Sequence, residues 1–70
     1  GNISYYPNGN KYSVTEYDTP YGRAIKYYTI DGEYNGCTIY QDTGNWMSIT
    51  KYDAEGNIIS VDGYSTVSPG

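Results

Sequence analysis

The chain has 70 residues, with four Lys or Arg against eight Asp or Glu, and a net charge of −4. A core of this size contributes about 3–5 kcal/mol of net stability, and an acidic surface argues against sequence-independent binding to nucleic acid or to an anionic membrane. The absence of His excludes a Cys-His catalytic pair and a His-containing zinc site.

The apolar residues predict an all-β protein. Tyrosine occurs eleven times, Ile and Val supply most of the aliphatic side chains, and Leu and Phe are absent. β-Branched and aromatic residues suit a pleated, half-buried surface, whereas most common helix formers are scarce here. No apolar run reaches the roughly 18 residues of a membrane-spanning helix. We therefore expect a single domain over residues 1–70 with no membrane insertion.

Tyrosines recur at intervals of 11 or 12 residues along the chain, and a glycine follows each of the first five within a few positions. The recurring residues are Tyr6, Tyr17, Tyr28, Tyr40, Tyr52 and Tyr64. An apolar, mostly β-branched segment comes after each glycine. This spacing predicts internal repeats of one strand plus one turn, joined as an antiparallel meander because it is too short for a parallel crossover.

Six clusters rich in Asp, Asn, Gly and Pro are typical of turns. They are 7–10, 18–22, 31–32, 42–45, 53–57 and 62–63, and we expect the third to extend through Gly36. They divide the chain into six or seven short strands, near 3–6, 11–17, 23–30, 37–41, 46–52, 57–61 and 64–67. No helix is expected, and only the stretch from Tyr21 to Tyr28 is ambiguous.

Neither face of the predicted strands is cleanly polar. In 46–52, Trp46, Ser48 and Thr50 alternate with Met47 and Ile49. A sheet with one face in water fits this pattern poorly. Three arrangements fit it better: a small barrel, two sheets packed face to face, or a flat sheet that covers its second face with another molecule. We favour the two closed arrangements.

Two turn sequences resemble known β repeats. Tyr52-Asp53-Ala54-Glu55-Gly56-Asn57-Ile58-Ile59-Ser60-Val61 is similar to the YD repeat of Rhs and teneurin-type shell proteins. Tyr5-Tyr6-Pro7-Asn8-Gly9-Asn10 resembles the Tyr-Tyr-x-Asn-Gly turn of variant MORN-type repeats. The resemblance implies antiparallel hairpins that serve as scaffold or protein-binding surface without catalysis.

The candidate partner-binding residues are aromatic. Tyrosines that precede turns should cluster at the two ends of a meander, Tyr6, Tyr28 and Tyr52 at one and Tyr17, Tyr40 and Tyr64 at the other. Such clusters either stack on sugars, peptides or bases, or brace strands through cross-strand pairs. The single tryptophan is either a core residue or part of a binding face near Tyr40 and Tyr52. The residues chosen for partner binding are Trp46, Tyr40, Tyr52, Tyr28 and Tyr17.

No catalytic, cofactor or metal site is predicted. The alternating oxygen side chains of 31–35 and 53–57 raise a calcium alternative, but neither segment is followed by a bidentate Glu at EF-hand spacing, and Asp, Asn and Gly are ordinary in hairpins. Cys37 is a small buried apolar residue, an intermolecular bridge or a reactive thiol. The compartment is left open.

These observations favour a non-catalytic protein-interaction module that presents a tyrosine-rich sheet surface. The alternative is a structural subunit that assembles with copies of itself through sheet edges, into a fibre or a larger oligomer. A third hypothesis is carbohydrate binding on tyrosine platforms. In each of them the chain acts by binding.

Overall fold

The computed structural model describes residues 2–67 and is all-β. Six strands form one sheet, and no helix occurs among these residues. The strands are β1 (Ile3–Tyr5), β2 (Lys11–Thr19), β3 (Gly22–Tyr28), β4 (Tyr34–Asp42), β5 (Trp46–Tyr52) and β6 (Ile58–Ser65). The stretch from Tyr21 to Tyr28, whose prediction was ambiguous, is strand β3 preceded by a turn.

The sheet is an open antiparallel meander. Its strand order, β1-β2-β3-β4-β5-β6, follows the chain, and each strand pairs antiparallel with its neighbour. Because β1 does not pair with β6, the sheet is open, as the third of the three predicted arrangements requires, and the preference for a barrel or sandwich was wrong. The radius of gyration is 14.0 Å, against about 11 Å for a compact chain of this length. The chain has therefore folded as one layer.

The interior of this layer is very small. Among the described residues, Ala24 is the one buried hydrophobic residue, at 7% exposure, and Thr38 is the one buried polar or charged residue, at 6%. Both lie on the central strands β3 and β4. A single sheet leaves each face to solvent unless a second layer covers it. The backbone ladder and cross-strand side-chain pairs therefore carry most of the fold.

Three turns at one end of the sheet share one hydrogen-bond pattern. In the turn Tyr6–Asn10 the amide of Tyr6 donates to the carbonyl of Asn10, and the amide of Gly9 donates to the carbonyl of Tyr6. The turns 29–33 and 53–57 repeat both bonds. Their glycines, Gly9, Gly32 and Gly56, have φ of 91°, 91° and 88°. A three-residue hairpin loop ending in a left-handed glycine explains the Gly at each of these positions.

The two turns at the opposite end differ from these and from each other. The first is a two-residue loop, Pro20 and Tyr21, in which the hydroxyl of Thr19 accepts hydrogen bonds from the amides of Tyr21 and Gly22. In the second, the Asp42 carboxylate accepts a bond from the amide of Gly44. Five of the six predicted turns are thus confirmed.

The sixth predicted turn, Asp62-Gly63, is wrong, and with it the seventh strand. Both residues lie inside β6, where Asp62 pairs with Ile49 and Gly63 with Ser48. A glycine within a strand marks either a turn or a place where another group approaches closely. Here it is the second case, since the side chain of Trp46 occupies the space above Gly63.

The third turn is also shorter than predicted, because β4 already begins at Tyr34. Gly36 belongs to a bulge in β4, with a φ of 110°. A Cβ at this position would collide with the carbonyl oxygen of Tyr52. Glycine is needed at this bulge for both its backbone conformation and the close approach of β5.

Candidate protein-docking face

The register of the strands divides their side chains between two faces, because partners opposite each other in neighbouring strands share a face. We call the two the front face and the back face. The front face contains Ile3, Val14, Tyr17, Thr19, Gly22, Ala24, Lys26, Cys37, Ile39, Gln41, Trp46, Ser48, Thr50, Tyr52, Val61, Gly63 and Ser65. The back face contains Ser4, Ser13, Thr15, Asp18, Arg23, Ile25, Tyr27, Thr38, Tyr40, Asp42, Met47, Ile49, Lys51, Ser60, Asp62 and Tyr64.

The front face is poor in charge and exposes large apolar side chains. Four of them are between 45% and 64% exposed: Ile3, Tyr17, Trp46 and Val61. They lie toward the edges and one end of the face, on β1, β2, β5 and β6. Small or short side chains occupy its middle, among them Gly22, Ala24, Ser48 and Thr50. The face is thus a shallow surface with aromatic and aliphatic groups around its border.

One ion pair lies at this face. The Lys26 ammonium is 2.7 Å from a carboxylate oxygen of Glu16, and both side chains are about half exposed. The hydrogen bond and charge of Glu16 raise the pKa of Lys26 above its ordinary value. Because each charge has its counter-ion beside it, the pair adds no net charge to the face.

The back face is more strongly charged. It carries Arg23, Lys51, Asp18, Asp42 and Asp62. The Arg23 guanidinium lies 4.6 Å from the centre of the Tyr40 ring, a cation–π contact between cross-strand partners. The Arg23 charge therefore has an aromatic partner on its own face.

The five aromatic residues predicted to bind a partner do not form one surface. Trp46, Tyr52 and Tyr17 lie on the front face, and strand alternation after Lys26 places Tyr28 there too. Tyr40 lies on the back face. Trp46 and Tyr52 occupy opposite ends of β5, about 20 Å apart at 3.4 Å per residue. The expected proximity of Trp46 to Tyr40 and Tyr52 was wrong, because alternation and strand length separate them.

The tyrosines meet each other edge to face. Tyr6 contacts Tyr12 at 5.1 Å between ring centres, Tyr12 contacts Tyr27 at 6.2 Å, and Tyr28 contacts Tyr34 at 5.9 Å. The Tyr6 hydroxyl also donates to the carbonyl of Tyr28. These contacts join neighbouring strands and turns, as the bracing alternative predicted. One predicted end cluster is not formed, since Tyr17 faces away from Tyr40 and Tyr64. The three tyrosines of the other cluster, Tyr6, Tyr28 and Tyr52, line one depression.

An open depression of about 250 Å³ lies beside these rings. Tyr12, Tyr27, Gly36 and Lys51 are among its lining residues. Its walls are formed by side chains already packed against each other, and it is open to solvent.

The acidic turn 53–57 is held by its own hydrogen bonds. The Asp53 carboxylate accepts bonds from the amides of Glu55 and Asn57, at 3.0 and 2.8 Å. The bond from Asn57 is the largest cause that lowers the pKa of Asp53. Within residues 2–67, no group of three or more acidic or Cys side chains is placed to hold a metal ion. The oxygen atoms of this turn are therefore accounted for by hairpin geometry.

Cys37 is a free thiol on the front face, half-buried between its cross-strand partners Lys26 and Tyr52. The first prediction for Cys37, a buried apolar residue, required more complete burial than this.

The sequence hypotheses missed Ile3 and Val61 as surface residues. Val61 is the outermost member of the row Tyr17, Ala24, Ile39, Thr50 and Val61, which crosses β2 to β6. The strand order decides which strand lies at an edge, and the register decides which face is poor in charge. The register depends on β-bulges, and the amino-acid sequence alone does not reveal where these lie.

Comparison of the chain with protein-family models, with curated proteins and with solved structures gives no match. In the part of the chain that the structure describes, no helix is long and apolar enough to cross a membrane. The fold and the two faces therefore define the class, a small all-β protein built as a single antiparallel meander.

Proposed function

We propose that this chain is a non-catalytic protein-interaction module that docks a partner protein on its front face. The observation that carries the proposal is the contrast between the two faces. One face exposes Ile3, Tyr17, Trp46 and Val61 around an electrically neutral centre. The other carries five charged side chains at ladder positions.

The size and chemistry of the front face support a protein as its partner. A contiguous apolar surface that spans several strands is typical of interaction sites on small proteins. Trp and Tyr are enriched at such interfaces because they offer a large apolar body and a polar tip. A shallow and open face suits another protein surface better than a small molecule.

A test compares the same substitution on the two faces. Tyr17→Lys places a charge on the front face and Tyr64→Lys places one on the back face, at residues that are 45% and 52% exposed. The immobilised chain captures proteins from an extract, and the captured set is quantified for each variant by mass spectrometry. The proposal predicts that Tyr17→Lys loses proteins that the wild type and Tyr64→Lys retain. Equal capture by both variants would remove the front face as the docking site.

A structural role through the sheet edges is the second candidate. β6 is an edge strand of eight residues, and Ile58, Ile59, Val61 and Tyr64 along it are all more than half exposed. Its outer backbone groups are available to a further strand, which is how edge-to-edge assembly begins. The opposite edge is a strand of three residues, which offers much less. A lysine is a common natural block to edge pairing, so Ile59→Lys should abolish any thioflavin-positive assembly.

We also propose that three similar hairpin units build the chain, which agrees with the antiparallel hairpins that the resemblance to YD and variant MORN repeats implies. The support is that all three hairpins have the same turn bonds and each contains a one-residue shift in register beyond the turn. The shifts lie between Ser4 and Tyr5, between Lys26 and Tyr28, and between Lys51 and Tyr52. Replacing residues 53–57 by the sequence of residues 6–10 should then keep the hairpin folded and lose only the stability that the Asp53 carboxylate adds. A large loss of stability would count against equivalent units.

A further inference from the structure

We infer that the partner on the front face is a second copy of this chain, so that two sheets pack front to front as an intermolecular β-sandwich. The inference rests on the proposed docking function of that face and names its occupant. Apolar residues on both faces of the strands favoured a closed arrangement within one chain. In the pair, a second chain covers one of these two faces.

The first argument is the missing layer. One chain buries Ala24 as its only hydrophobic side chain in the described part, and leaves a tryptophan and several tyrosines largely in water. Sheets are stable in water when one face is covered by a second sheet or a helix. A copy of the chain is the partner present wherever the chain itself is made.

The second argument is charge. Two copies that each carry −4 repel one another unless their acidic groups stay apart. Of the eight acidic residues, only Glu16 lies at the front face, where Lys26 neutralises it. The others lie on the back face, as Asp18, Asp42 and Asp62, or in the hairpin turns, as Asp31, Glu33, Asp53 and Glu55. Front-to-front packing therefore places the excess negative charge on the outside of the pair.

The third argument is area. Six strands about 4.8 Å apart give a width of about 24 Å, which equals the middle principal extent of the chain, 24 Å. The seven residues of β5 extend the sheet about 24 Å along the strand. The flat area is then about 600 Å² per copy, or about 1,200 Å² for the pair, which reaches the lower limit of stable interfaces. Side-chain relief increases this value. The front face alone is therefore large enough for a stable dimer.

The test uses adjacent residues of an inner strand, which leaves both sheet edges unaltered. Ser48 points to the front face and Met47 to the back face, and both are half-buried on β5. Sedimentation equilibrium at micromolar concentration should give the wild type about twice its mass of 7.8 kDa. Ser48→Lys should weaken the dimer by about tenfold or more, because the lysine charge is desolvated between two sheets. Met47→Lys should remain dimeric, since its lysine lies in water opposite Asp42.

Trp46 emission gives a second measurement that does not require a variant. The indole is 47% exposed in one copy, so dilution through the dissociation range should shift its emission to the red. If Ser48→Lys unfolds, Gln41→Lys replaces it, at an exposed position near the end of β4 and opposite Ser48. A wild type that stays monomeric with constant emission would overturn the inference. In that case, selective loss of captured proteins by Tyr17→Lys would still support the docking face with a different partner. A dimer that both lysine variants leave intact would instead indicate pairing of sheet edges.

Discussion

The indole of Trp46 covers Gly63 on the neighbouring strand. A Cβ at Gly63 would lie 2.7 Å from Cε2 of the indole and 2.9 Å from the carbonyl oxygen of Met47. Pairing an aromatic ring with a glycine across an edge strand protects the exposed backbone and fixes the register. This contact explains why the Asp62-Gly63 pair continues β6 instead of turning the chain.

Gly63→Ala should therefore destabilise the fold, although the φ of Gly63 lies outside the left-handed region. The indole can move away from a new methyl group, but the Met47 carbonyl is held in the ladder. We expect a loss of about 1–3 kcal/mol in the free energy of unfolding, as for overpacked sites. Urea denaturation followed by Trp46 emission measures it. Ser65→Ala, at the register partner of Trp46, is the control and should change little.

Gly36→Ala should be the most damaging of the glycine substitutions at positive φ. Its methyl group meets the Tyr52 carbonyl, whereas a Cβ at Gly56 or Gly9 meets nothing within 4 Å. Gly56→Ala should lose only the cost of the left-handed conformation, about 1–2 kcal/mol, and Gly56→Asn less, since Asn tolerates that region. Urea midpoints of the three variants test the order. Equal losses at positions 36 and 56 would contradict the close approach of β4 and β5.

Low pH should weaken the hairpin of β5 and β6, because it protonates the Asp53 carboxylate in the turn between them. Its folded-state pKa lies below the ordinary 3.8, because the amide of Asn57 and then that of Glu55 donate to the carboxylate. The charged carboxylate therefore adds stability above that value, and this stability is lost as the pH falls through the folded-state pKa. Asp53→Asn should flatten the fall in unfolding midpoint below about pH 4. The control is Glu55→Gln in the same turn, and an unchanged slope in Asp53→Asn would contradict the role of this carboxylate.

Removing both charges of the front-face ion pair should strengthen front-to-front association. Exposed pairs add little to the stability of one chain, but covering them with a second sheet requires desolvation of both charges. We therefore expect Glu16→Gln combined with Lys26→Gln to lower the dissociation constant of the dimer without a large change in unfolding midpoint. Sedimentation equilibrium at several concentrations measures it. Weaker association of the double variant would show that the pair itself contacts the partner.

The local chemistry of the turns was readable from the sequence, and the arrangement of the faces was not. Asn8-Gly9, Asp31-Gly32 and Glu55-Gly56 mark hairpins because glycine supplies the left-handed residue that these loops need. Gly63 also follows an Asp, as Gly32 does. Its role is instead a close contact with Trp46, which lies 17 residues earlier in the chain. Single-residue bulges shift the pairing, so Tyr40 and Tyr17 could not be assigned to opposite faces before the register was known.

The choice between an open and a closed sheet was equally beyond the sequence. The side chains that alternate along β5 make both of its faces partly apolar. This pattern fits a β-sandwich formed within one chain and equally one formed between two chains. Only the pairing of strands, in which β1 and β6 remain separate edges, distinguishes these cases.

Side-chain footprinting of the wild-type chain with hydroxyl radicals at micromolar concentration tests most directly whether the front face is covered in solution. Rates at Trp46 and Tyr17 on the front face are compared with the rate at Tyr64 on the back face, each normalised to the unfolded chain. A covered front face predicts strong protection of Trp46 and Tyr17 while Tyr64 reacts freely. Modification of Trp46 and Tyr64 in proportion to their exposures of 47% and 52% would contradict the front-to-front pairing of two copies.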